Sequence, residues 1–324
     1  MSPPTCPTCS RHTSACWTRR RKRSTGQRCS SASGWNDEAT ALSRAHRQET
    51  AVTTIAANLE WLFTETADWT ADRIRAAAAH GLDAVEIWGW RDKDVEAIRA
   101  ALDETGVTLL SLIVDPQLQL TDPSTHEPYL DGVRDSLEVA IALGAPNLVV
   151  VAGQERDGVP RQDQHDAVAS VLSRAAAIVA GSGVTLLLEP LNSRVDHVGT
   201  YLWSTREGLD IVREVGSPQV RLLLDAYHAL VMGEDLAAVV GDDIALVGHV
   251  QVADAPGRHE PGTGTIDWQA QFRLLRDLGY SGRWGMEYTP SRETAASLRH
   301  VEDLAALVDG PRASGTTAFV ADTT

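Results

Sequence analysis

Four stretches in the second half of the chain share one form, an apolar run or alternation that ends on an oxygen-bearing side chain. They are Leu186-Leu187-Leu188-Glu189, Leu222-Leu223-Leu224-Asp225, His249-Val250-Gln251 and Met286-Glu287. One carboxylate in such a place is commonly a cap for the helix that follows. Four polar heads at matching places on neighbouring strands call for more. Adjacent strands lie about 4.8 Å apart, so the heads can converge, and three converging carboxylates repel one another unless a cation sits among them. All-oxygen ligation, without cysteine or clustered histidine, suits a hard divalent cation, Mg2+ or Mn2+, better than zinc. Glu189 and Glu287 can also do proton chemistry. Two carboxylates flanking a bound carbonyl compound can remove a proton from one carbon and return one to its neighbour. The cation would polarise the carbonyl and stabilise the enediolate between the two steps. That chemistry is isomerisation, and it needs no organic cofactor.

Such convergence requires strands in the right places, and the pattern supplies them. Short apolar, β-branched runs fall at 55–63, 84–88, 108–114, 147–151, 184–188, 220–224, 245–252 and 283–287. Interiors such as Leu148-Val149-Val150-Val151 are continuously apolar, as in parallel strands covered on both faces. Between them lie amphipathic segments closed by Gly81, Gly144, Gly181, Gly216 and Gly279, glycine being the residue that ends helices in a left-handed turn. Eight strand–helix alternations predict a single α/β domain, a (β/α)8 TIM barrel, over residues 51–309, with a C-terminal tail at 310–324. An open doubly wound sheet is weakened because no Gly-x-Gly-x-x-Gly follows the first strand. In such a barrel the chemistry belongs at the C-terminal ends of the strands, where the four heads fall.

Residues 1–50 do not belong to this pattern. They carry nine of the Lys and Arg residues against three acids, hold all four cysteines, and show neither alternation nor a helical stripe. The segment reads as a disordered basic extension. Cys6-x-x-Cys9 with His12, Cys16 and Cys29 has no paired-knuckle spacing, and no apolar stretch follows the arginine run as a targeting peptide requires. No run along the chain is long and apolar enough to span a bilayer. The formal net charge of −15 argues against a protein that grips phosphate backbones. These features predict a cytoplasmic protein acting on a small molecule, without nucleic-acid or membrane partners; a homo-oligomer stays open.

The residues around the four heads then show a resemblance. Leu188-Glu189-Pro190-Leu191-Asn192-Ser193-Arg194 and Asp225-Ala226-Tyr227-His228 resemble the sugar isomerase/epimerase barrels of the xylose isomerase-like superfamily. The longer run from Gly248-His249-Val250-Gln251 through Asp254-Ala255-Pro256-Gly257-Arg258-His259-Glu260-Pro261-Gly262-Thr263-Gly264 is similar to the hydroxypyruvate isomerase branch, where Gln takes the place that His holds in the ketose 3-epimerases. Ala57-Asn58-Leu59-Glu60-Trp61-Leu62-Phe63 and Gly81-Leu82-Asp83-Ala84-Val85-Glu86 are similar to that branch's first two strands. The resemblance covers residues 54–307. It implies metal ligands at Glu189, Asp225, Gln251 and Glu287 and an acid/base pair at Glu189 and Glu287. It implies that His228 contacts substrate oxygens near the metal and that Arg258 holds the far end of the substrate. Its substrate would be hydroxypyruvate, converted to tartronate semialdehyde. A 2-oxo-tetronate isomerase and a ketose 3-epimerase are the nearest alternatives.

Departures fall at the pocket mouth: Ile87-Trp88-Gly89-Trp90 is bulkier than expected, and Val195-Asp196-His197-Val198-Gly199-Thr200-Tyr201 replaces a shorter loop. His197 either closes over the site or decorates that loop, and Trp88 is a candidate wall for substrate. An arginine fork at Arg258 matches a carboxylate bidentately, as an anionic 2-oxo acid requires, although the acidic chain as a whole would repel such a substrate at long range. Two other classes compete. An endonuclease IV-type hydrolase needs a histidine-rich zinc cluster and a basic face; a sugar-binding barrel without turnover has no use for an intact glutamate pair.

Overall fold

The structure, a computed structural model, describes residues 54–66 and 69–309. The predicted extension at 1–50 and the predicted tail at 310–324 lie outside the described residues.

Eight parallel strands close in sequence order into a barrel. They are β1 (Ile55–Asn58), β2 (Ala84–Glu86), β3 (Thr108–Ile113), β4 (Asn147–Val151), β5 (Thr185–Glu189), β6 (Val220–Asp225), β7 (Val247–Val252) and β8 (Trp284–Met286). The α-helices between and after them are α1 (Thr70–His80), α2 (Val95–Thr105), α3 (His126–Leu143), α4 (Arg161–Val179), α5 (Thr205–Val215), α6 (Ala226–Met232), α7 (Leu236–Val240), α8 (Trp268–Leu278) and α9 (Thr294–Asp309). No helix among the described residues is long and apolar enough to cross a membrane.

All eight predicted strands are present, β4 with the predicted ends and the others with shifted ones. The largest shift is in β1, which stops at Asn58 rather than running to residue 63. There the Asn58 Oδ1 accepts the Glu60 amide at 3.0 Å, a local turn that competes with further ladder pairing. Leu59, Leu62 and Phe63 are buried all the same, so an apolar turn had the composition of a strand. Gly81, Gly144, Gly216 and Gly279 close their helices in the left-handed region, as their spacing predicts. After α4 the cap is instead Ala180 in an extended conformation, and Gly181 turns left-handed one residue later.

Side chains alternate along a strand, so every second residue faces the barrel interior. Ile113, Val149, Leu187 and Leu223 form a separate buried cluster, with Trp88 packed against it, while Leu186, Leu188, Leu222 and Leu224 belong to the larger core shared with the helices. This parity fixes the site. Glu189 stands two residues beyond Leu187, and Asp225 two beyond Leu223, so both carboxylates project inward above the apolar cluster.

Candidate active site

Glu189, His197, His228, Arg258, Glu287 and Trp88 all line one cavity of about 430 Å3. Asp225 and Gln251 are buried and stand side by side in the β6–β7 register. The chain therefore brings the predicted residues to one end of the barrel.

The carboxylates are held by named partners. Glu287 Oε1 accepts Trp88 Nε1 at 2.8 Å and Asn58 Nδ2 at 3.1 Å. Its Oε2 accepts Arg258 Nη2 at 2.6 Å, and the same nitrogen reaches Asp225 Oδ2 at 3.2 Å. Asp225 Oδ1 accepts the Tyr227 amide at 2.9 Å, which makes Asp225 the cap of α6 as well as a site residue. Trp88 thus fixes one oxygen of Glu287 while it walls the cavity edge-on to Trp61, with ring centroids 5.6 Å apart.

Burial dominates the protonation of these acids. It pushes Glu189 well above the usual carboxylate range, helped by repulsion from Glu287 and Asp225 and opposed by Arg258. It raises Asp225 against the pull of Arg258 and two backbone amides. Glu287 is pushed up to about 7, chiefly by burial, with Arg258 opposing. Burial alone would lower Arg258, but Glu287, Asp225 and Glu189 outweigh it and raise its pKa. Three crowded carboxyls thus share one guanidinium, which offsets part of their mutual repulsion.

Arg258 lines the same cavity as the acids. Its side chain lies against Asp225 and Glu287. The loop before α8 explains this. Asp254 accepts the amides of Ala255, Gly262 and Ile266, and the buried Glu260 accepts the Ser291 amide, the Ser291 hydroxyl and Arg292 Nε. Arg258, held between them with φ at +52°, takes a left-handed conformation that a side chain adopts only where surroundings compel it.

Glu189, Asp225 and His228 offer ligand atoms within 4.8 Å of one another. His228 nevertheless reads as a donor. Asn192 Oδ1 accepts the amides of Val195 and Asp196, each at 3.0 Å, so its Nδ2 faces His228 Nδ1, at 2.7 Å. A neutral ring that accepts at Nδ1 carries its proton on Nε2. Burial, Arg258 and the neighbouring His197 hold His228 well below the usual histidine range, and so neutral. Its Nε2–H, 3.4 Å from Asp225 Oδ2, can donate to a substrate oxygen but offers no lone pair to a metal. His197 packs edge-on to this ring, with centroids 5.3 Å apart.

Sequence reasoning passed over Asn58 and Asn192 and undervalued Glu86, which is wholly buried at the end of β2. Asn58 and Glu86 end their strands just as Glu189 and Asp225 do; that position was the available signal.

The family model of the xylose isomerase-like TIM barrels matches residues 74–304. The chain is 33% identical to the 2-oxo-tetronate isomerase of Cupriavidus necator, over 75% of this chain and 95% of that one. It is 31% identical to the hydroxypyruvate isomerase of Escherichia coli, over 76% of this chain and 97% of that one. Among solved structures it matches that of an AP endonuclease, family 2, from Brucella melitensis, with a TM-score of 0.72 and 29% identity over 78% of this chain and 98% of that one.

Proposed function

The chain belongs to the xylose isomerase-like TIM barrel family, and on that basis we propose that it is a divalent-cation-dependent isomerase of short 2-oxo acids, converting hydroxypyruvate to tartronate semialdehyde. The observation that carries this reading is the pair Glu189, at the end of β5, and Glu287, just after β8, on the wall of one cavity. Glu287 at about 7 can hold or release a proton near neutral pH, as a general acid/base must.

The residues fit a hard cation. Glu189, Asp225 and Glu287 are acids that burial raises, with repulsion from neighbouring carboxylates adding to it at Glu189 and Glu287, and Gln251 Oε1 is buried without a hydrogen-bond partner. Glu189, Asp225, Gln251 and Glu287 would hold Mg2+ or Mn2+. When bound, such an ion polarises the substrate carbonyl and spreads the negative charge that proton removal creates. Because ligation requires ionised carboxylates, binding below the Glu287 value must release a proton. Apparent affinity for Mn2+ should therefore fall as pH drops from 8 through 7 to 6, by up to about tenfold per unit for one proton. Calorimetry in buffers of different ionisation heat counts the released proton; an affinity unchanged across that range would contradict the assignment.

The protein's own groups carry the proton traffic. One glutamate of the pair removes a proton from C3 of hydroxypyruvate and the other returns one to C2, while the hydroxyl hydrogen passes from O3 to O2. His228 Nε2–H holds a substrate oxygen and steadies its charge. Arg258, a fixed cation beside the acids, would pair with the substrate carboxylate when Asp225 and Glu287 serve as ligands. Trp61 and Trp88 wall off water. His197 covers the His228 ring from the loop after β5.

A second reading is a 2-oxo-tetronate isomerase. Gln117, Gln154 and Thr200 also line the cavity and supply polar contacts for one more hydroxylated carbon. The chain's acidic balance, net charge −15, disfavours the endonuclease activity for which the Brucella protein is named. One experiment separates the isomerase readings. Mn2+-loaded protein is incubated in D2O with hydroxypyruvate, 2-oxo-tetronate or a ketohexose, and NMR locates the deuterium. We expect deuterium at C2 of the product with a 2-oxo acid, an aldehyde from hydroxypyruvate and a 3-oxo acid from 2-oxo-tetronate. Exchange only at C3 of a ketose would make it an epimerase, and no exchange with any of the three would end the enzyme reading.

A further inference from the structure

Glu86 is wholly buried, and it is absent from the side chains that line the cavity. Its Oε2 accepts Gln251 Nε2 at 3.0 Å, and its Oε1 lies against His249 Nε2. The three side chains meet over Gly285, where an added Cβ would stand 2.8 Å from Glu86 Oε2, His249 Nε2 and Gln251 Cγ alike. Such an approach to two polar atoms and a side-chain carbon cannot be relieved at a single flexible tip, so glycine at 285 is what lets the cluster form. A buried carboxylate is a costly way to fill space, because an apolar residue would incur no desolvation.

The contact has a directional consequence. The amide of Gln251 has a donor end and an acceptor end that are nearly equal in shape, and only its oxygen can ligate a cation. A carboxylate accepts and does not donate, so it selects the nitrogen. The Gln251 Oε1 is thereby turned away from Glu86, buried and without a partner, on a residue that pairs with Asp225 across the β6–β7 ladder. We infer that Glu86 is a positioning residue that locks the Gln251 amide with its oxygen presented to the cation. This rests on the cation reading given above and extends it beyond the four ligands.

The test is Mn2+ affinity of the full chain by calorimetry, independent of turnover, with the fold checked by circular dichroism. Glu86→Gln keeps the shape but lets either end of the Gln251 amide face it, and Mn2+ should bind roughly 10–100-fold more weakly, the usual effect of removing such a partner. In a Gln251→Ala background, Glu86→Gln should change the affinity no further. Wild-type affinity in the single variant overturns the inference, as does an equal loss in the Ala background, because Glu86 would then act through charge or packing. If the wild-type chain itself binds no Mn2+, the cation reading falls and the inference falls with it, a result distinct from the other two. Gln251→His covers the case in which Glu86→Gln does not fold. One ring nitrogen would donate to Glu86 and the other face the ion, so 14N coupling should appear in the Mn2+ spin-echo spectrum; its absence in a variant that still binds Mn2+ would overturn the inference.

Discussion

Glu189→Gln is expected to lower kcat for the 2-oxo acid by roughly 10²–10⁴-fold, the usual contribution of a general acid/base. Glutamine preserves the size of the side chain and an oxygen for ligation, but it cannot accept a proton from carbon. Assays at saturating Mn2+ keep weakened ligation out of the result, so the loss should appear in kcat rather than KM. Glu287→Gln should cost a similar factor. Its Oε1 already accepts Trp88 and Asn58, so Oε2, which accepts Arg258, is the atom left to meet substrate once the guanidinium turns to the substrate carboxylate. The two variants differ in what they exchange with solvent. If Glu189 removes the C3 proton, Glu189→Gln loses deuterium uptake at C3, whereas Glu287→Gln retains it and lacks only delivery at C2. Either variant retaining kcat within about threefold of wild type would remove that residue from the proton path.

The outline of this site was legible because strand parity and strand ends are local properties. Runs such as Leu186-Leu187-Leu188-Glu189 announce both where a strand stops and which residues face inward, so Glu189 and Asp225 can be placed from the chain alone. Asn58 was hidden for the opposite reason. The apolar residues after it, Leu59, Leu62 and Phe63, are buried in a turn, and burial by itself does not distinguish a turn from a strand. Glu86 was visible but gave no clue to its partners, because its contact with Gln251 spans 165 positions of chain. The tautomer of His228 depends likewise on Asn192, 36 positions away, and on two loop amides that fix which way Asn192 points. The contact of Arg258 with Asp225 and Glu287 was hidden because it follows from a left-handed turn inside a loop pinned by Asp254 and Glu260. Composition tells of none of these; they are products of closure.

Arg258→Met should destabilise the metal-free protein by about 3 kcal/mol, in the range seen when one partner of a buried ion pair is lost. Without a metal ion, Arg258 is the positive charge among the acids. One guanidinium nitrogen bridges Asp225 and Glu287, and Glu189 is close enough to help raise the Arg258 pKa. Methionine fills much of the same space without charge, leaving three buried acids to neutralise by taking up protons. The loss should therefore depend on pH. Glu287 is already raised to about 7, and without Arg258 it should rise further. An acid whose folded value exceeds its unfolded value, about 4.3, binds more protons folded than unfolded, so stability falls as pH rises between those two values. Arg258→Met should accordingly lie closest to wild type near pH 5 and furthest below it near pH 8. Saturating Mn2+ should close most of the gap at pH 8, because guanidinium and cation draw on the same oxygens of Asp225 and Glu287. Urea melts at the two pH values, with and without Mn2+, test this. A deficit that ignores both pH and Mn2+ would mean that Arg258 contributes packing against Tyr227 and Trp61, and that it does not stand in for the cation.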